Sequence, residues 1–209
     1  MAGGEERARH WRYEELPGVD LLRARYVEKR FVRHTHEQFV IAAVVDGVEV
    51  FHHGGADQYV GAGALALVNP DTPHTGRAGV PEGWRYGAVY PPAGLVARIA
   101  EETTALRGSP GFVRPVVDDP YAAGLVHQVL RAVDEGNALA ADTLLRVVVT
   151  RFAAAQRRGA AAAVRADGGC AAGRTRACRA RGADGRAADP GEARRGAGHR
   201  PVRAAAGLS

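Results

Sequence analysis

The sequence predicts a mainly β protein with added helices. A small barrel or jelly roll comes first, then an antiparallel helix hairpin, then a disordered C-terminal tail. Three observations predict it. Between Leu21 and Tyr90, short apolar runs alternate with Gly- and Pro-containing turns at close spacing, the pattern of a sheet folded back on itself. Between Gly94 and Arg158, apolar residues recur at helical spacing. From Gly159 onward, neither period is present.

The N-terminus, Met1 to His10, is polar and charged, without the apolar segment of a secretory signal. A Pro17-Gly18 turn follows Trp11 to Leu16, and Leu21 to Val32 supplies the first strands. In His34-Thr35-His36-Glu37 an extended backbone puts both histidines on one face and Thr35 and Glu37 on the other. Val40, Ile41, Val44 and Val45, with Ala42 and Ala43 between, have the composition of a buried strand. Asp46-Gly47 reads as a two-residue hairpin turn, with Val48 to His52 as the returning strand. His52 and His53 face opposite sides and read as surface or strand-end residues. Gly54 to Asp57 is a further turn, Gln58 to Val60 a short strand, and Ala64 to Val68 a buried one. Pro70-Asp71-Thr72-Pro73 forces an irregular loop that delivers His74. Trp84 to Tyr90 is the next strand, with Trp84, Tyr86, Ala88 and Tyr90 on one face.

Pro91-Pro92 ends the sheet region, and Gly94 to Leu106 reads as a helix. The next helix carries the clearest local signals. Asp118 or Asp119 caps it, Pro120 suits its first position, and Tyr121, Leu125, Val129, Leu130 and Val133 form its stripe. Gly136-Asn137 stops it. A last helix runs from Leu139 to Arg158 with Leu144, Leu145, Val148, Val149 and Phe152 on one side. The two form an αα hairpin.

Charge divides the chain. Residues 1–158 hold 18 basic and 19 acidic residues, and residues 159–209 hold 10 and 4. The folded part therefore has no electrostatic footprint for nucleic acid. Ala, Gly and Arg make up 37 of the last 51 residues, which cannot build a core. Cys170 and Cys178 lie there without the partners of a zinc site or a structural disulfide. The tail reads either as a basic segment touching nucleic acid non-specifically or, preferably, as out-of-frame translation of GC-rich DNA. No apolar run has membrane length, so the expected location is cytoplasmic, with no membrane partner.

The stretches HTHEQFVIAAVVDGVEVFHHGG, GAGALALVNPDTPHTG and GWRYGAVYP carry a resemblance. His-x-His, a Gly about ten residues on and Pro-x-x-x-His resemble the two motifs of the cupin barrel. The wording around them resembles the N-terminal effector-binding domain of AraC-type (AraC/XylS) transcriptional regulators, over roughly residues 10–158. The resemblance implies an N-terminal arm at 1–15, a cupin-like barrel at 16–92, and a helical support with a homodimerisation hairpin at 93–158, its contact through residues 139–158. It implies a small-molecule effector, no enzymatic activity and no cofactor. The chain lacks a recognisable C-terminal helix-turn-helix domain, so the expectation is a truncated regulator that reaches DNA only through a domain not recognisable here.

The expected effector-binding residues are His34, His36, His74, Trp84, Tyr86 and Trp11. Trp11 and Tyr13 are candidates for the arm that closes over the pocket; packing on the outside of the barrel is the plainer alternative. Metal-binding cupins carry a Glu four or five positions after the second His, and here Val40 and Ile41 stand there. The alternative reading is thus a metal-dependent cupin enzyme, an oxygenase or isomerase, using only His34, His36 and His74.

Overall fold

The structure is a computed structural model that describes residues 5–105 and 110–152. The expected tail, both cysteines and residues 153–158 of the last helix lie outside these. Nine strands are present among the described residues: β1 (Arg7–Arg12), β2 (Asp20–Tyr26), β3 (Arg30–His34), β4 (Val40–His53), β5 (Ala56–Gly61), β6 (Ala64–Val68), β7 (His74–Ala78), β8 (Trp84–Tyr90) and β9 (Val116–Asp118). Helix α1 (Ala93–Thr103) follows β8, and α2 (Pro120–Asp134) follows β9. Helix α3 covers 138–152.

All pairings are antiparallel. One sheet has the order β1-β2-β8-β4-β6-β9, and a second joins β3, β7, β4 and β5. Strand β4 belongs to both. Its first part pairs with β6 and β8, and its second with β5 and β7. The expected jelly-roll barrel with its helix hairpin is therefore present.

Asp46-Gly47 is not the hairpin turn that the sequence suggests. Val44 faces Tyr86 and Asp46 faces Arg85, so Val45 is one residue too many on β4. This is a β-bulge, and the chain bends there from one sheet into the other. Gly47 holds φ +74°. The backbone is too close for a side chain: a Cβ on Gly47 would land on the Gly83 carbonyl, and one on Gly83 would land on the Tyr26 carbonyl. The true β4–β5 turn is Gly54-Gly55, both at positive φ as a primed two-residue turn requires.

The central strands of the first sheet, β8, the start of β4 and β6, are largely buried on both faces. Ile41, Ala43, Leu65, Leu67 and Val89 pack outward on the helices together with Val126, Val129, Leu130, Leu145, Val148 and Phe152. The alternate positions Val40, Ala42, Val44, Ala64, Ala66, Val68, Trp84, Tyr86 and Ala88 face the barrel interior. Large aliphatics on the helix side seal that interface, and alanines on the inner side leave room inside the barrel. The caps formed as expected. The Asp119 side chain accepts from the Ala122 amide at 3.0 Å, Pro120 opens α2, and Gly136 at φ +68° ends it. Asn137 then caps α3, accepting from the Ala140 amide at 3.1 Å.

Segment 1–15, read as an arm, contains β1, paired along its length with β2. The Glu6 carboxylate accepts three amides, from Val27, Glu28 and Lys29, at 2.7–2.8 Å, which ties this segment to the β2–β3 turn. No described helix is long and apolar enough to cross a membrane.

Gly47→Ala combines a disfavoured φ with a backbone collision and is expected to cost about 3 kcal/mol or more. Gly54→Ala also has positive φ but nothing within 4 Å, and is expected to cost about 1 kcal/mol. Urea unfolding of both variants checks this; equal costs would sink the bulge argument.

Candidate functional site

The two histidine motifs meet at one end of the barrel. His34 ends β3, His36 lies in the loop after it, and His74 opens β7, where it faces His34 across the pair. Ring centroids are 4.4 Å apart for His34–His74, 4.9 Å for His34–His36 and 5.2 Å for His36–His74. One nitrogen from each ring lies within 4.8 Å of the other two. The proline loop holds this geometry. The Asp71 amide donates to the His36 carbonyl at 2.7 Å, and Asn69 and Phe112 exchange two hydrogen bonds.

Two of the rings have a defined orientation. His34 Nδ1 stands 2.7 Å from the Val32 carbonyl and His74 Nδ1 3.0 Å from the Thr72 carbonyl. A carbonyl oxygen only accepts, so each Nδ1 carries the proton and each Nε2 of the neutral ring is a lone-pair acceptor. Burial, with His34 and His74 as like-charged neighbours, lowers the His36 pKa to about 4. Burial likewise lowers that of His74. At neutral pH His36 and His74 are therefore uncharged.

Behind the histidines is a cavity of about 120 Å³. Its aromatic wall is Tyr26, Phe31, Tyr86 and Tyr90, and its floor includes Ala42 and Ala66. Burial raises the hydroxyl pKa of Tyr86 and Tyr90 well above the ordinary value, so both keep their protons. Of the expected site residues, His34, His36, His74 and Tyr86 are brought together here. Trp84 does not line the cavity. It lies behind Tyr86, stacked at 11° and 6.1 Å. Trp11 is elsewhere: it packs against the helix-side core with the Arg9 guanidinium 4.3 Å over its ring. Strand β1 pairs with the outer edge of the first sheet, so Trp11 cannot cover this cavity without leaving that sheet.

Sequence reasoning missed Glu49. It lines the cavity, and its Oε2 is shielded from solvent and unpartnered. Burial raises its carboxyl pKa to about 7. The bulge explains the omission. Ahead of Val45, the even-numbered residues of β4 face inward; after it, Glu49 and Phe51 do. Read as a hairpin turn, Asp46-Gly47 hides that change of parity; read as a bulge, it would have pointed to Glu49. His52 and His53 close β4, as expected. His52 is half-exposed and hydrogen-bonds Asp57 at 2.9 Å, but His53 Nε2 is buried without a partner.

Residues 16–149 match the family profile of the AraC-like ligand binding domain. The chain belongs to this family. No curated protein matches it. Among solved structures it is similar to KdgF from Halomonas sp., at 17% identity over 40% of this chain and 76% of that one, TM-score 0.35. It is similar to a cupin 2 conserved barrel domain protein from Leptotrichia buccalis, at 14% identity over 43% and 42%, TM-score 0.37. A cupin superfamily protein from Desulfitobacterium hafniense shows 5% identity over 44% and 82%, TM-score 0.38. These likenesses say nothing about ligand or chemistry.

A divalent metal is the group that a cupin barrel brings into question. In this AraC-like domain the residues fit it in part. His34 and His74 are anchored through Nδ1 to carbonyls, as metal-binding histidines commonly are. Among the described residues, no carboxylate joins the three nitrogens within 4.8 Å, and Val40 and Ile41 add no ligand. Three nitrogens with open positions are a set for a borderline metal ion rather than for calcium or magnesium.

Stability should carry two pH signatures. His36 has a folded pKa below its unfolded one, so stability falls as pH drops from about 6.5 to about 4, by about 3 kcal/mol. Glu49 has a raised folded pKa, so its contribution is complete below about 4.5 and is lost as pH rises through about 7, again by about 3 kcal/mol. Against His36→Asn, the wild type should therefore lose relative stability between pH 7 and pH 4. Against Glu49→Gln it should lose it between pH 4.5 and pH 8. Chemical denaturation across pH measures both differences; flat differences would refute the assigned burial.

Proposed function

We propose that this domain senses a small-molecule effector held in the barrel cavity. His34, His36 and His74 contact it at the mouth, and Tyr86 forms the wall with Trp84 stacked behind. Trp11 is left out of the contact set because of its place on the helix side. The observation that carries this reading is the cavity itself: a recess lined mainly by apolar and aromatic side chains, with a few polar groups, is the usual form of a ligand site. Family membership supplies the regulatory context. The domain is then no enzyme, acts in the cytoplasm and passes occupancy to a DNA-binding domain. Any effector can shift such a protein only by its differential affinity for two conformations.

Homodimerisation through residues 139–158 belongs to the same proposal, with one change of face. Leu145, Val148, Val149 and Phe152 are buried against the barrel and are not free for a partner. The outward row Leu139, Thr143, Val147 and Thr150 is the surface that a second copy would use; Leu139 is 78% exposed. We also infer from composition that residues 159–209 are read out of frame. Translating the gene past codon 158 in the other frames should restore helical patterning and helix-turn-helix units; patternless sequence in every frame would refute this.

A second reading, a three-histidine metal enzyme, is favoured by one observation: the two Nδ1 anchors that leave Nε2 free. Metal analysis and a thermal-shift screen separate the readings. The sensor reading expects protein without stoichiometric metal whose Tm rises with a small molecule, the rise lost in His74→Ala. Equimolar iron, manganese, nickel or zinc, lost in His36→Ala, would overturn it in favour of the enzyme.

A further inference from the structure

The chemistry of the ligand can be narrowed, on the reading that the cavity is a ligand site. Glu49 supplies the argument. Its strand neighbours in register are Val60 on β5 and Ala78 on β7, neither of which brings a side-chain donor. No described donor reaches Oε2. A carboxylate hidden from water without donors is costly, and such groups recur where a ligand provides what the protein withholds.

The rest of the lining sharpens the point. Among the described residues, no Arg or Lys lines the cavity. Its polar groups, besides Glu49, are His34 on β3, His36 in the following loop, His74 and Thr75 on β7, Tyr26 on β2, and Tyr86 and Tyr90 on β8. The neutral ring of His74, with Nδ1 on the Thr72 carbonyl, presents its Nε2 lone pair as an acceptor like the carboxylate. The walls are π surfaces. Tyr26 meets Phe31 edge to face at 5.3 Å, and Tyr86 stands 6.3 Å from Tyr26. Aromatic faces attract cations, most strongly where water is excluded. An anionic ligand would meet a carboxylate and the His74 lone pair with no Arg or Lys to balance them. A neutral alcohol would leave Glu49 either charged without a counter-charge or protonated.

We propose that the effector is a small organic ammonium ion, which donates N–H bonds to Glu49 and lays its carbon body among Tyr26, Phe31 and Tyr86. The cavity of about 120 Å³ sets its size. An apolar cavity of about 150 Å³ takes benzene, so the ligand has on the order of half a dozen non-hydrogen atoms. The buried, raised carboxyl of Glu49 is consistent with a site that gains its counter-charge on binding.

Three probes of nearly one size test this: n-butylammonium, butan-1-ol and butyrate. Each is titrated into the full chain in the presence of EDTA, with binding read from the ring resonances of His34, His36 and His74. The expected order is ammonium at least tenfold tighter than the alcohol, with butyrate not binding. Glu49→Gln should bring the ammonium affinity down to that of the alcohol. Equal affinity for ammonium and alcohol in the wild type would overturn the proposal while leaving the cavity a ligand site. A preference for ammonium that survives Glu49→Gln would overturn the assigned role of Glu49. Failure of all three probes would overturn the ligand class and its size; the library screen then decides separately whether the cavity takes any ligand. The wild-type comparison does not depend on the folding of the variant.

Discussion

The backbone contact among Tyr26, Gly83 and Gly47 is the constraint on which the structure turns. Strand β4 must serve two sheets, and it changes from one to the other by bending at Val45 to Gly47. The bend needs a residue at positive φ, and it brings three backbones together too closely for any Cβ. Only glycine meets both conditions. Once the bulge is in place, the inward face of β4 passes from Val40, Ala42 and Val44 to Glu49 and Phe51. The same irregularity thus closes the barrel and carries a carboxylate into it.

Residue size does the rest of the shaping. The central strands of the first sheet, β8, the start of β4 and β6, are covered by helices on one side, so both faces there are dry and these strands read as nearly continuous apolar runs. The helix-side positions are filled by Ile41, Leu65, Leu67 and Val89. The barrel-side positions include Ala42, Ala66 and Ala88. Fully burying a large aliphatic side chain contributes roughly 1.5–3 kcal/mol, so the helix interface carries much of the stability. The inner alanines contribute less and leave space. Stability and binding are divided between the two faces of one sheet.

His36 and His74 remain neutral because burial disfavours their charged forms. Burial and mutual proximity hold His36 to about 4, and the Val32 and Thr72 carbonyls orient the rings on either side of it. A cluster of this kind accepts hydrogen bonds from a ligand or electron pairs from no one; its open Nε2 atoms suit either a donor molecule or a metal ion.

By itself the sequence determined the order of most elements, both helix caps of the hairpin, the pairing of His-x-His with the later His74, and the family. These rest on local signals: alternation, capping residues and proline positions act over a few residues and survive without tertiary context. What only the tertiary structure decided is less local. Asp46-Gly47 suits a hairpin turn and a bulge equally, and the choice depends on β8 and on the Gly83 backbone beside it. Strands β7 and β9 gain their pairing only from distant partners, and the short sequence of each shows little alternation. Trp11 and Trp84 looked alike as candidate ligand contacts, yet one packs on the helix side of the sheet and the other behind Tyr86. Glu49 is a polar residue in an apolar strand, and the face it occupies depends on one inserted residue four positions earlier. Inside or outside is a property of register, and register is set by the partner strands.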